Sequence, residues 1–238
     1  MAHNNIKSDI PVKILNIEEP TPDVRIVYAQ PLKIYDYKAG QYTFIQTDED
    51  EELARPFSIA NAPNDENIIE FHIKYTGFSV SEWIFKKAAK GSIFSISDPQ
   101  GDCTYTTHQH SQRPILAISG GVGISQIKAI LEQLITNHSA REIILYEGVK
   151  RSHDLYLIEY WENLEDQHEG FEFRPVFSEE DMPEDKFMRT GLVGHQVCME
   201  IDNLDAYDIY LAGPPAMITD IVPRLIEKGA DPTKIYKD

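Results

Sequence analysis

Apolar and polar positions alternate in short bursts through the first part of the chain, each bounded by turn residues. The pattern predicts strands at 12–17, 24–28, 42–46, 57–60, 68–75 and 93–96, because β-branched and aromatic residues at period two suit a pleated, half-buried surface. Regular spacing of such strands predicts a small antiparallel β-barrel. One stretch breaks the rhythm. Val80, Trp83, Ile84 and Ala88 share a helical face, with Ser79 or Ser81 placed to cap its start. Gly77 just before it permits a close backbone approach, making this helix N-terminus a candidate phosphate site.

Beyond residue 113 the period changes. Strand-like runs at 115–119, 142–147, 172–177 and 207–211 alternate with helical periodicity at 124–137, 155–164, 194–201 and 215–228. Such alternation predicts a doubly wound parallel sheet, whose ligands bind beyond the carboxyl ends of the strands. Those ends are the loops at 120–123, 147–152, 177–180 and 212–217. Pro223 is expected to disturb the middle of the last helix, and Gly229 to end it. The polar run at 104–113, with His108 and His110, marks the change between the two regimes. The predicted organisation is a loose tail at 1–10, one domain at 11–107 and a second at 108–238.

Composition narrows the chemistry. The formal net charge of -17 disfavours nucleic acid and anionic membrane surfaces as partners, since both are bound through clustered Lys and Arg. Asp48-Glu49-Asp50-Glu51-Glu52 reads either as a solvated loop tip or as a docking point for a basic partner. Cys103 and Cys198 are too few for the four thiolates an iron-sulfur cluster usually needs, so any cluster is expected on another chain. No H-x-x-x-H or C-x-x-C spacing occurs, and no metal site is expected. No apolar run approaches the ~20 residues of a membrane span, and the start lacks signal-peptide features. A cytoplasmic protein is the expectation.

The most specific local pattern runs from Pro114 to Ile127. An apolar strand ends in Gly120-Gly121-Val122-Gly123, and Ile124, Ile127, Leu131 and Leu134 follow at helical spacing. Backbone N–H groups at such a turn can hold an anionic group. Gln126, however, occupies the last glycine position of G-x-G-x-x-G, and taken alone the loop reads equally well as a tight βα turn. Arg55-Pro56-Phe57-Ser58 is the second cluster. A guanidinium can fork onto a phosphate, a ring can pack beside an aromatic cofactor, and a hydroxyl can bond a ring nitrogen.

In order, Ala39-Gly40-Gln41-Tyr42, Arg55-Pro56-Phe57-Ser58, Asp98-Pro99-Gln100-Gly101-Asp102, Gly120-Gly121-Val122-Gly123, Arg189-Thr190-Gly191 and Gly213-Pro214-Pro215-Ala216-Met217 punctuate nearly the whole chain. This series resembles the ferredoxin NADP reductase superfamily, and looks most like bacterial NAD(P)H flavin reductases and the flavin modules of oxygenase reductases. The resemblance implies a flavin-binding barrel at 11–107, an NAD(P)-binding domain at 108–238, and hydride transfer from nicotinamide C4 to flavin N5. FAD, or free FMN or riboflavin as substrate, and NADH or NADPH are the implied cofactors. Flavin contacts fall to Arg55 at the phosphate or ribityl region, Pro56, Phe57 near the ring and Ser58 near N5 as the catalytic group. They extend to His72, Ile73 and Lys74 on one strand, and to Gly77, Val80 and Ser81 at the pyrophosphate. Nucleotide contacts fall to Gly120, Gly121, Val122, Gly123, Lys150, Arg151, Ser178, Glu179, Gly213, Pro214, Pro215 and Met217.

The chain departs from the family pattern in places. Val122 stands where relatives usually carry Thr, Gln126 where they carry Pro, and Ala212 where reductases of protein partners often carry Cys. It stops at Asp238 without the aromatic residue that commonly covers the flavin, which implies a more open flavin face. Lys150 and Arg151 could meet a 2′-phosphate, whereas Glu179 would repel one and accept a ribose hydroxyl. Glu147 is expected to be a strand-end charge rather than a ribose ligand. Three destinations for the electrons stay open: free reduced flavin, an iron-sulfur or oxygenase partner served by bound FAD, and a relay within a larger complex.

Overall fold

The computed structural model describes residues 9–47, 54–105, 111–137, 139–179 and 189–238. The tail at 1–8, the acidic run at 48–52, and His108 and His110 at the expected boundary lie outside the described residues. Two compact units are present, Met1–Thr107 with Lys128–Gln133, and His108–Ile127 with Leu134–Asp238.

In the first unit, β1 (Ile10–Thr21), β2 (Val24–Pro31), β3 (Tyr42–Gln46), β4 (Arg55–Ser58), β5 (Ile69–Lys74) and β6 (Ile93–Ile96) form an antiparallel sheet in the order β4-β3-β6-β1-β2-β5. Alternation explains β1. Ile10, Val12 and Ile14 point inward while Pro11 and Lys13 do not, and the strand pairs with β2 on one side and β6 on the other. The two ends of the sheet meet where Ala60 N–H donates to Glu70 O and Glu70 N–H to Asn61 Oδ1, both at 2.8 Å. Inside lie Val12, Ile14, Val27, Ile45, Phe71, Ile73 and Phe94, joined by Val80 and Ile84 of the helix α1 (Ser79–Lys86). Each such side chain contributes ~1.5–3 kcal/mol on leaving water.

Two expectations shift here. β4 starts earlier than the expected residue 57, because in the ordered sheet it pairs only with β3, and an edge strand tolerates the missing N–H of Pro56. Neither Ser79 nor Ser81 caps α1. The N-cap is Phe78, in extended conformation and without a side-chain cap bond, while Ser79 takes a φ of 47°.

The second unit is a parallel sheet in the order β10-β9-β8-β7-β11-β12. Its strands are β7 (Ile115–Gly120), β8 (Ile143–Val149), β9 (Phe171–Phe177), β10 (Arg189–Thr190), β11 (Asp208–Ala212) and β12 (Ile235–Tyr236). Its helices are α2 (Ile124–Thr136), α3 (Ile158–Gln167), α4 (Val193–Glu200) and α5 (Pro215–Glu227). The middle of α2, Lys128–Gln133, is grouped with the first unit. α3 starts later than expected, because Ser152–Asp154 form a 3-10 turn in which Asp154 Oδ2 accepts from Arg151 N–H at 3.0 Å. α5 runs unbroken through Pro223. The carbonyl that proline leaves without a donor belongs to Thr219, which is exposed and open to water. Among the described residues no helix is long and apolar enough to cross a membrane.

Candidate functional site

In the first unit the expected flavin contacts fall on two strands and a helix start. Arg55 and Pro56 on β4 are exposed, and Phe57 and Ser58 are partly buried. Arg55 has no carboxylate partner among the described residues. Phe57, partly buried, packs against the barrel core. On β5, His72 and Ile73 are buried and only Lys74 is exposed. Val80 is buried too, so His72, Ile73 and Val80 can offer a bound molecule only backbone.

Gly77 has a φ of 78°, and a Cβ there would meet nothing within 4 Å, which leaves the surface open to an incoming group. The Ser81 hydroxyl is already engaged: it donates to Phe78 O at 2.9 Å, accepts from Thr76 N–H at 3.1 Å and lies 2.7 Å from Thr76 Oγ1. Ser81 therefore fastens the loop, while the first turn of α1 has no side-chain cap, and helix starts of this kind can hold anions. Thr76, which no sequence pattern singles out, is the other half of that fastening.

A buried charge cluster also belongs to this unit. Lys128 Nζ lies 3.0 Å from Glu70 Oε2 and 2.6 Å from Glu132 Oε1, and His72 Nε2 lies 2.5 Å from Glu70 Oε1. Burial holds His72 below its ordinary pKa and hence neutral. For Glu70 burial acts upward, but His72 and Lys128 together more than offset it and its pKa is lowered.

In the second unit the carboxyl-end loops converge, and the glycines are what let them. A Cβ on Gly123 would lie 2.5 Å from Ala212 O, and one on Gly120 2.3 Å from Met217 Sδ. A Cβ on Gly213 would lie 2.6 Å from Met217 Cε. Gly120-Gly123 and Gly213-Met217 are thus packed against each other, with Pro214 as the N-cap of α5 and Pro215 at its first turn. Val122 O accepts from Ser125 Oγ at 2.8 Å, which ties the 3-10 turn Gly121–Gly123 to the start of α2. Gln126 is buried, with Nε2 donating to Asp238 Oδ2 at 2.7 Å. Gly148, in the loop at 147–152, brings Val193 close: a Cβ there would sit 2.9 Å from Val193 Cβ.

The opposing charges of the sequence meet one another. Ser178 N–H donates to Val149 O and Glu179 N–H to Lys150 O, both at 2.9 Å, which aligns the β8 and β9 loops. Lys150 Nζ then lies 2.7 Å from Glu179 Oε1, with Arg151 Nη2 3.8 Å from Glu179 Oε2. The Lys150 hydrogen bond lowers the Glu179 pKa and raises that of Lys150. Glu147 is not the expected strand-end charge. It is wholly buried with neither carboxyl oxygen bonded among the described residues. Burial pushes its pKa up to about 8, opposed by the Trp161 indole, whose N–H comes near without a hydrogen bond of ordinary geometry.

Comparison with known proteins assigns both units. Residues 12–105 match the oxidoreductase FAD-binding domain family and residues 117–222 the oxidoreductase NAD-binding domain family. The chain is 31% identical over 239 residues to a probable flavin reductase of Photobacterium leiognathi, covering 95% of this chain and 96% of that protein. It is 30% identical over 226 residues to the ferredoxin–NAD(P)+ reductase component of the Pseudomonas putida naphthalene 1,2-dioxygenase system, covering 94% and 67%. The chain belongs to the ferredoxin NADP reductase superfamily. A solved superfamily structure, Amycolatopsis cytochrome P450 reductase GcoB, superposes with a TM-score of 0.88 at 25% identity, over 95% of this chain and 68% of that one. The chain is an NAD(P)H-dependent flavin oxidoreductase, with FAD and NAD(P) as cofactors. The donor set suits them, for an exposed guanidinium without a carboxylate partner among the described residues, an uncapped helix start and an open glycine loop are anion-binding chemistry.

Proposed function

We propose that this chain is an NADH-preferring flavin reductase whose flavin exchanges with solution. The donor preference rests on the Lys150–Glu179 pair at 2.7 Å. Glu179 neutralises the cations that would otherwise receive a 2′-phosphate and places a carboxylate where that phosphate would go. The flavin-reductase reading draws support from the 31% identity to the Photobacterium probable flavin reductase.

Within this reading Arg55 binds the flavin phosphate or ribityl chain, Phe57 packs beside the ring, and Ser58 hydrogen-bonds N5. Backbone of His72, Ile73 and Lys74 supports the ring, and Gly77 with the N-terminal turn of α1 takes a pyrophosphate. Gly120 to Gly123, Ser178 and Gly213 to Met217 receive the nicotinamide nucleotide. When bound, flavin and nicotinamide supply the hydride chemistry. The protein's part is to hold and orient. A cytoplasmic location accords with two unbridged cysteines, Cys103 and Cys198.

The purified protein should leave gel filtration colourless and oxidise NADH only when FAD or FMN is added. A flavin spectrum retained through the column would favour the second reading, a reductase with bound FAD serving a protein partner. No NAD(P)H oxidation with any flavin or dye would overturn both. Glu179→Gln should raise kcat/KM for NADPH relative to NADH roughly fivefold, the scale of one unit charge at contact distance through solvent. An unchanged ratio would remove Glu179 from donor selection.

A further inference from the structure

Glu147 lies near the carboxyl end of β8, opposite Ser119 of β7 and Pro175 of β9. Its carboxyl group and the indole N–H of Trp161 are buried together, and neither has a hydrogen-bond partner among the described residues. Among the described residues no counter-charge acts on it. From β7 the Ser119 hydroxyl is directed to Tyr146 O at 3.4 Å. From α3 come Glu159, Glu162, Glu165 and Asp166, all exposed. The ionisable residues of α2, Lys128 and Glu132, are engaged with each other and Lys128 with Glu70. Tyr146, which strand alternation turns to the opposite face, bonds Glu200 at 2.9 Å and Arg174 at 2.5 Å. An ion left unpaired in such a place is costly, and a carboxyl group there keeps its proton instead.

We propose that Glu147 is a proton-loaded trigger beneath the nucleotide loops: the second unit folds around the neutral acid, and loss of its proton at alkaline pH loosens β7, β8 and α3. The effect falls on the nucleotide loops because Gly148, next in the chain, pairs with Gly120. The sign follows from linkage. With a folded-state pKa of about 8 against an ordinary 4.5, the folded protein binds the extra proton between these values. The stabilisation is complete below the lower value and declines as pH rises, by about tenfold in the folding equilibrium constant per pH unit, until the upper value is passed.

Urea unfolding of the full chain between about pH 6 and about pH 8 tests this. The wild-type folding constant should fall about tenfold per pH unit relative to Glu147→Gln, which carries no proton there. Glu147→Leu, apolar and of similar size, should behave like the Gln variant. In a Trp83→Phe background, which leaves Trp161 as the reporter, emission should titrate in wild type and not in Glu147→Gln. Parallel stability curves for wild type and the variants would overturn the proposal. Should neither variant fold, infrared spectroscopy of the wild type decides. A carboxylic-acid carbonyl band persisting at neutral pH and lost on alkaline titration supports it, and absence of that band overturns it.

Discussion

Alanine at position 123 asks whether the glycine loop is glycine because of the fold, apart from any ligand. The new Cβ would lie 2.5 Å from Ala212 O, 2.6 Å from Ala212 C and 2.7 Å from Gly213 Cα. All three are backbone atoms at the end of β11, so no rotamer change relieves the clash. Relief requires the ends of β7 and β11 to separate, against a register that runs unbroken from Ile115↔Asp208 to Ser119↔Ala212. Overpacking of a tight interior costs ~1–3 kcal/mol, and an immovable neighbour puts Gly123→Ala in the upper part of that range. About 2.5 kcal/mol lowers the Tm of a chain this size by roughly 5–10 °C. Gly120→Ala is the matched control. Its Cβ would lie 2.3 Å from Met217 Sδ, the far part of a flexible side chain that can swing aside, so a cost of about 1 kcal/mol is expected. Met217→Ala should recover part of the Gly120→Ala loss and none of the Gly123→Ala loss. The assay is urea and thermal unfolding without nucleotide, which keeps ligand affinity out of the measurement. Gly120→Ala proving less stable than Gly123→Ala would refute the reasoning.

Two further outcomes are expected. Lys128→Ala leaves the buried Glu70 without its ammonium and should cost ~3–5 kcal/mol at neutral pH. Because the folded Glu70 pKa is lowered from 4.5, wild type loses this stabilisation as pH falls through the acid range, and the variant's acid limb should be flatter. Urea titrations at neutral and acid pH measure both, and a neutral-pH loss below about 1 kcal/mol would mean the pair is not a unit. Ser58→Ala should slow flavin reduction in stopped flow by about tenfold, the scale of one hydrogen bond. An unchanged rate with hydride transfer limiting would remove Ser58 from the site.

Much of the fold is legible where a single physical rule governs a segment. Tyr42–Gln46 and Ile93–Ile96 follow from alternation alone, and the parallel sheet from the βαβ rhythm. The two-residue strands Arg189–Thr190 and Ile235–Tyr236 carry too little pattern to be read, and exist because a neighbouring strand offers them a ladder. Edge position, which no local window reveals, is what lets Pro56 into β4. The loops of the nucleotide face are legible because their glycines answer backbone constraints. The pairing of Glu179 with Lys150, and of Glu70 with Lys128, is not, because each joins residues brought together only by the finished topology. Glu147 shows the same limit from the other side. A carboxylate letter near a strand end suggests solvent, whereas its place in an inner strand of the sheet removes it.

The register of β7 against β11 also sets an order of assembly. Gly120 is made early in the second unit and Gly213 near its close, yet a Cβ on Gly213 would lie 3.2 Å from Gly120 N. Parallel pairing between such distant segments must close the long stretch of chain between them, which makes it a slow event. The nucleotide face is therefore not a preformed groove to which β11 is added. It comes into being only with a long-range pairing of its unit, so competence to bind nucleotide reports that β7 and β11 have met in register.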